Sequence, residues 1–262
     1  MKEEIRIFFT ALMFYTRIPC PENIDHSPDY INKATRYFPL IGWIVGAISF
    51  LIFYLASFLF AIPIAVFFSL IAGVLLTGAF HEDGLADVFD GFGGGWTKIK
   101  ILEIMKDSRI GAYGAISLVF LIGLKFIGLT DLLAKITTEN PVLFALIFVN
   151  YHSLARLTAI NIVFTSQYSR EDESSKAKPI AKAHSYKEIA GAYFFGLTPL
   201  IGLCFFDWKF LFVILPLFVL YFYSRRFFNK WIDGYTGDCL GAVEQMTECV
   251  CILTFLALWK FM

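Results

Sequence analysis

Four carboxylates lie within nine residues, directly after an uncharged apolar stretch: Glu82, Asp83, Asp87 and Asp90. If this run is helical, the three aspartates are spaced i, i+4 and i+7 and share one face. At a separation of about 6 Å and an effective dielectric constant of about 20, each pair of carboxylates repels by roughly 3 kcal/mol. A bound cation relieves this repulsion, and hard oxygen ligands suit Mg²⁺ or Mn²⁺. The run therefore predicts a divalent metal site on an enzyme that handles phosphate esters. A solvated acidic helix end is the alternative, but it gives no reason for the acids to share one face.

Residues 104–114 carry the next candidates. Lys106 and Arg109 are suited to phosphate oxygens because each offers N–H donors and a positive charge. Asp107, between them, is a candidate for a further metal ligand. A positive anchor at the start of a membrane helix explains Lys106 equally well. The pair Asp107 and Arg109 therefore carries the phosphate prediction for this segment.

Residues 233–244 combine glycines, a threonine and two aspartates at the start of the last apolar run. Backbone N–H groups at a helix N-terminus bind anions, so Thr236, Gly237 and Asp238 are predicted to form a phosphate-binding turn close to the metal. A helix N-cap by Asp238 beside a glycine turn explains the same pattern. Both interpretations stay open on the sequence alone.

Arg156 falls inside an apolar run that also contains His152. An arginine within a membrane span costs at least about 2.5 kcal/mol, so it faces protein or a polar cavity. By helix rise it lies about 12 Å from the inner end of its span, within reach of a cytoplasmic cavity. Contact with a phosphate and structural pairing are both open for Arg156. His152 is interpreted as a hydrogen-bonded core histidine.

The elements that must position these residues are long apolar helices. The 262 residues are 58% hydrophobic and only 17% charged, whereas a soluble domain carries about 25% charged residues. An all-α, polytopic integral membrane protein is therefore predicted, with residues 1–262 forming one domain and residues 5–15 an interfacial helix. Seven membrane spans are expected at approximately 37–60, 63–80, 111–133, 141–164, 188–206, 210–224 and 240–259.

The charge distribution predicts the orientation. With the N-terminus inside, seventeen lysines and arginines fall on cytoplasmic segments, and only Lys135, Lys209 and Lys260 fall outside. This bias predicts a multi-pass protein of a bacterial or archaeal cytoplasmic (inner) membrane, with its motif segments facing the cytoplasm. A net charge of zero excludes a strongly basic nucleic-acid surface. Five scattered cysteines without a C-x-x-C pair argue against a disulfide framework or a zinc ribbon.

Together these segments resemble the cobalamin-5′-phosphate synthase family, also called adenosylcobinamide-GDP ribazoletransferase. The resemblance covers nearly the whole chain, and its most specific parts are the acidic run and the segment after it. It rests on residues 14–19, 37–42, 77–91, 104–111 and 235–242.

The resemblance implies the last assembly step of adenosylcobalamin, a corrinoid. Adenosylcobinamide-GDP would join α-ribazole or its 5′-phosphate, and GMP would leave. In this interpretation Asp87 or Asp90 accepts the proton of the attacking ribose hydroxyl. The expected ligands of Mg²⁺, or of Mn²⁺ in its place, are Glu82, Asp83, Asp87, Asp90 and Asp107. The expected phosphate contacts are Lys106, Arg109, Arg156, Thr236, Gly237 and Asp238. The expected partners are these small molecules and the lipid bilayer, with no nucleic acid, and a homo-oligomer is allowed.

Two other classes of protein stay open. One is a lipid head-group or prenyl transferase, because the acidic run is similar in kind to the aspartate signature of CDP-alcohol phosphotransferases. It lacks the Ala-Arg pair that follows Asp-Gly in that signature. The other is a cation transporter, which should place ionisable groups near the bilayer midplane. Here nearly all of them are expected at one membrane face, which disfavours a transporter.

Overall fold

A computed structural model describes residues 2–22, 24, 27–136, 140–169 and 184–261. Arg170 and the charged segment 171–183 therefore lie outside the described residues. The all-α prediction is confirmed, since the named elements are helices joined by short turns. They are α1 Lys2–Tyr15, α2 Pro28–Ala34, α3 Phe38–Ser57, α4 Ile62–Thr77, α5 Phe80–Gly94, α6 Lys98–Ile104, α7 Ala112–Lys135, α8 Pro141–Thr165, α9 Tyr186–Cys204, a 3₁₀ turn Trp208–Val213, α10 Ile214–Ile232 and α11 Gly237–Leu258.

Proline and polar caps fix where several of these helices begin. Pro63 and Pro141 lie in the first turns of α4 and α8, where the missing N–H costs little. The Asn140 side chain accepts a hydrogen bond from Leu143 N at 3.2 Å and caps α8. The start predicted for the fourth span at residue 141 is therefore confirmed.

The described part of the chain contains five helices that are long and apolar enough to cross a membrane, and α4 with α5 counts as a sixth, bent span. The predicted span at 188–206 is not among these six, and it corresponds to α9, which has 19 residues. Its first turn forms a buried ion pair between Glu188 and Arg36, just before α3. Its other end leads to Phe210, which packs on Phe255 near the end of α11. The α9 helix therefore runs the length of the bundle beside the other long helices.

One end of the bundle gathers the sequence motifs, and we call it the motif end. Here α3, α7, α9 and α11 begin, and α4, α8 and α10 end. A short backbone bridge closes it, because Tyr235 N donates to Gln167 O and Ser169 N donates to Tyr235 O, both at 2.9 Å. This bridge holds the end of α8 against the turn before α11.

A sharp bend separates α4 from α5 at the motif end. The two helices meet at 87°. Gly78 and Ala79 make the turn with φ values of 68° and 58°, in the left-handed region. A side chain at position 78 would collide with Arg17, whose Nε lies 2.4 Å from the position of an added Cβ. The predicted helix over the acidic run is confirmed, but it is a new helix that starts at Phe80.

The N-terminal helix α1 packs onto the bundle. Ile7, Ala11, Leu12 and Tyr15 are buried. Glu4 accepts a hydrogen bond from Arg36 at 2.8 Å, which ties α1 to the turn before α3. The helix itself is as predicted, and its location at the membrane interface stays a prediction.

Candidate active site

Two glycines bring the acidic helix α5 against the start of α11. A Cβ added at Gly84 would lie 2.9 Å from the backbone oxygen of Asp238, and a Cβ added at Gly241 would lie 2.9 Å from that of His81. Real Cβ atoms are essentially never this close to other heavy atoms, so only glycine permits this crossing. The acidic run and the 235–242 segment are therefore in direct contact.

Asp90 joins the third motif segment to the other two. Its carboxylate accepts hydrogen bonds from Gly111 N at 2.7 Å and from Gly114 N at 2.9 Å. These are backbone donors at the start of α7, where the helix has no partners of its own for them. Asp90 therefore caps α7 from a different helix. This role was not predicted, and it uses both carboxylate oxygens of a residue proposed as a metal ligand and proton acceptor.

We expect Asp90→Ala to destabilise the fold by about 1–2 kcal/mol, as the loss of a helix cap does. The measurement is equilibrium unfolding of the detergent-solubilised protein. Asp90→Asn keeps one acceptor oxygen, so its loss should be smaller. Equal stability of Asp90→Ala and the parent protein would contradict the capping role.

Asp83 and Asp87 are the other two aspartates of α5. Asp83 is exposed and Asp87 is half-buried, one helical turn further along. Magnesium is commonly held by one or two carboxylates together with water and substrate phosphates, rather than by a complete protein cage. Two hard oxygen donors one turn apart at the surface fit that kind of site. Glu82 differs, because it lines a cavity inside the bundle beside His81.

The loop between α6 and α7 presents an ion pair. Arg109 donates to both oxygens of Asp107, with Nη2 at 2.6 Å from Oδ2, and the Arg109 backbone N–H donates to Oδ1 at 3.0 Å. These bonds lower the pKa of Asp107 to about 2, so it is ionised at any physiological pH. Arg109 remains largely exposed and Lys106 is exposed. Their contact with phosphate stays a prediction.

Thr236, rather than Asp238, caps α11. Its hydroxyl accepts a hydrogen bond from Cys239 N at 3.3 Å and lies 3.2 Å from Asp238 Oδ2. Thr236 is fully buried, whereas Gly237 and Asp238 are partly exposed. Any contact of this turn with a phosphate therefore falls to the backbone at Gly237 and Asp238.

A cluster of charged side chains lies inside the bundle, further from the motif end than α5. Arg156 Nη1 is 2.8 Å from Glu244 Oε1, and Lys125 Nζ is 2.5 Å from Glu248 Oε2. His152 Nδ1 is 2.5 Å from the other oxygen of Glu248. All five side chains are buried. By helix rise Glu244 and Glu248 lie about 9 Å and 15 Å beyond Asp238, so the cluster reaches about half the thickness of a bilayer.

This cluster answers the question left open for Arg156, which the structure pairs with Glu244. A metal site needs several histidine, cysteine, aspartate or glutamate side chains close together. Among the described residues, one group of three meets this condition, with its ligand atoms within 4.8 Å of one another: His152, Glu244 and Glu248. Lys125 and Arg156 already neutralise those carboxylates, and a divalent ion would have to displace both. We therefore interpret the group as an ion-pair network.

The sequence analysis did not select Lys125, Glu244 and Glu248. Its expectation that nearly all ionisable groups lie at one membrane face was wrong for this cluster. A signal was present, because Glu244 and Glu248 are one turn apart within an apolar run. Ionisable residues inside a membrane pair with one another, so these two acids required cations from other spans.

Comparisons with known proteins place the chain in a family. The family model described as cobalamin-5-phosphate synthase matches residues 7–256. Relatives named adenosylcobinamide-GDP ribazoletransferase are found in Shewanella amazonensis (43% identical, covering 99% of this chain and 98% of the relative), Shewanella frigidimarina (42%; 97% and 95%) and Leptospira interrogans (41%; 99% and 98%). No solved structure matches the chain. The match over nearly the full length, at this identity, shows that the chain belongs to the cobalamin-5-phosphate synthase family.

Proposed function

We propose that this chain joins adenosylcobinamide-GDP to α-ribazole or its 5′-phosphate and releases GMP, at the cytoplasmic face of a bacterial or archaeal membrane and with Mg²⁺. One observation carries the proposal. The three motif segments meet around α5, through the Gly84 contact with Asp238 and the hydrogen bonds from Asp90 to the start of α7. A pyrophosphate with its metal needs such a convergence of carboxylates, cations and backbone donors at one surface.

The proposed reaction is a displacement at phosphorus. A ribose hydroxyl of the acceptor attacks the phosphorus bound to the cobinamide arm and forms a new P–O bond. The bond from that phosphorus to the bridging oxygen of the pyrophosphate breaks, and GMP leaves with that oxygen. A carboxylate accepts the hydroxyl proton. Asp87 and Asp90 are the two candidates for this proton, and both oxygens of Asp90 also accept hydrogen bonds from the start of α7.

Asp83 and Asp87 would hold the metal ion, which supplies positive charge to the pyrophosphate and the departing GMP. The exposed cations Lys106 and Arg109 flank the same end of α7 and would bind the phosphate oxygens that face water. Asp107 orients Arg109 through its two carboxylate oxygens. Its own role is therefore positioning of the guanidinium.

Purified protein in detergent, given both substrates and Mg²⁺, should form the nucleotide-looped corrinoid with one GMP per product. Chelation should stop the reaction. Mg²⁺ or Mn²⁺ should restore it, and Ca²⁺ should do so poorly because its coordination is looser and longer. GMP without corrinoid product would indicate hydrolysis. No turnover by well-folded protein with any divalent ion would reject the proposal and favour a lipid head-group or prenyl transferase.

The proposed orientation is tested separately. Reporter fusions after Phe60 and Asp207 should be external, and a fusion after Asp233 should be cytoplasmic, as the lysine and arginine distribution predicts. A cytoplasmic reporter after Phe60 would contradict this orientation and place the motif end outside.

A further inference from the structure

A cavity of about 270 Å³ lies beside the ion-pair network, between α4, α7, α8 and α11. Its walls are largely apolar and include Phe67, Leu70 and Ile122. Thr77, His81 and Glu82 line the part at the motif end. Because Glu82 directly precedes Asp83, the cavity leads to the helix that carries the proposed metal ligands.

Several buried polar atoms of the side chains that line this cavity have no hydrogen-bond partner among the described residues, and two of them are acceptors on His152 and Glu82. The contact between His152 Nδ1 and Glu248 places the ring proton on Nδ1, so Nε2 carries a lone pair. His152 Nε2 and Glu82 Oε2 are both buried and make no hydrogen bond to any residue that the structure describes. A buried polar atom without a partner is costly, so these two acceptors indicate a ligand that brings hydroxyl or N–H donors.

The ammonium group of Lys125 offers a donor that complements these acceptors. Lys125 Nζ uses two of its three N–H groups on Gln245 Oε1 and Glu248 Oε2, both at 2.5 Å. The third N–H is available to an acceptor such as an aromatic ring nitrogen. The lining therefore suits a neutral, apolar heterocycle with one ring nitrogen and attached hydroxyl groups, which is a nucleoside.

We infer that this cavity binds the base of the acceptor nucleoside, with the ribose hydroxyls on His152 and Glu82. The inference rests on the proposed function. The cavity lies just below the roughly 300–1,000 Å³ of sites for drug-sized ligands, so it holds a single bicycle and excludes a corrin ring. The base of α-ribazole is a benzimidazole with two methyl groups. With this base in the cavity, the ribose lies at the first turn of α5, next to Asp83.

Gly73 gives a direct test, because it lines the cavity without contributing a charge. An added Cβ would meet only Ser49 Oγ at 3.4 Å and His152 Cε1 at 3.9 Å, which are ordinary contacts. Gly73→Leu should therefore fold and fill the cavity. We expect its KM for α-ribazole to rise at least about tenfold, with the KM for adenosylcobinamide-GDP unchanged. For the riboside of benzimidazole without the two methyl groups, the KM should rise less in Gly73→Leu, because this base needs less room.

Gly123→Leu is the matched control, because an added Cβ there meets nothing within 4 Å. Its KM values should equal those of the parent protein. Gly73→Ala serves as a milder second variant if the leucine variant is unstable. Equal KM changes for both substrates, or an unchanged KM for α-ribazole in Gly73→Leu, would overturn the inference. A third contrary result would come from native mass spectrometry. It would show a lipid bound to the parent protein but not to Gly73→Leu, while the KM for α-ribazole is the same in both.

Equilibrium dialysis with α-ribazole alone separates this inference from the proposed function. Binding that Gly73→Leu weakens, in a protein that transfers nothing, would leave the inference standing and reject the transferase. Turnover that is insensitive to Gly73→Leu would support the transferase and reject the cavity as the acceptor site.

Discussion

Asp83→Asn and Asp87→Asn are each expected to reduce formation of the nucleotide-looped corrinoid by at least about 10²–10³-fold, the scale of losing a principal electrostatic group at a transferring phosphate. The fold should tolerate both changes, because asparagine has nearly the same size and shape as aspartate and Asp83 is exposed. Removing one charge from a self-repelling row leaves stability unchanged or slightly higher when no metal is bound. The measurements are GMP-coupled turnover and unfolding in detergent.

Asp131→Asn is the matched control for these two variants. Asp131 lies near the end of α7 that is remote from the motif segments, where it pairs with Lys135. The same change of charge there should leave turnover unchanged. Near-normal activity of both α5 variants at ordinary Mg²⁺ concentration would show that this row does not hold the metal.

Lys125→Met should destabilise the protein by about 3–5 kcal/mol, the usual cost of breaking a buried ion pair. The change leaves Glu248 and Gln245 without the ammonium group that lies 2.5 Å from each. Methionine has nearly the same length as the lysine stem, so the loss is electrostatic and does not come from a packing defect. Equilibrium unfolding of the parent and the variant in the same mixed micelles measures it.

Two further variants test whether the stability lost by Lys125→Met comes from its ion pair with Glu248. The double variant Lys125→Met with Glu248→Gln removes both charges and should recover most of the stability lost by Lys125→Met alone. Lys135→Met breaks the exposed pair with Asp131 and should cost less than about 1 kcal/mol. Additive losses in the double variant would mean that Lys125 and Glu248 contribute independently.

The fold class and several helix ends could be predicted because they depend on local signals. The span predicted at 141–164 is α8 at Pro141–Thr165, and that at 111–133 is α7 at Ala112–Lys135. The span predicted at 63–80 was too long, because Phe80 is apolar and hydropathy does not register the turn at Gly78. The span predicted at 210–224 was too short, since α10 continues through Arg225 and Arg226 to Ile232.

For the candidate site too, the local features could be predicted and the long-range contacts could not. The composition of each motif indicated its chemistry, and the helix over the acidic run was correct. Pairings between distant segments could not be predicted from one sequence. Asp90 binds backbone groups 21 and 24 residues away, and Lys125 pairs with Glu248 at a separation of 123 residues. Those contacts depend on how the helices pack, which hydropathy and spacing do not determine.

The right-angle bend at Gly78 and Ala79 determines how deep in the membrane the acidic residues of α5 lie. In a helix that crosses the membrane, residues 83 and 90 would differ in depth by about 10 Å. Because α5 lies at 87° to α4, the same row runs nearly parallel to the membrane surface if α4 crosses the bilayer along its normal. Its carboxylates then lie at one depth in the membrane. When lipids thicken or thin the bilayer and the crossing helices tilt, the row rises or sinks as a unit. The acids would therefore keep a common depth in host membranes of different lipid composition.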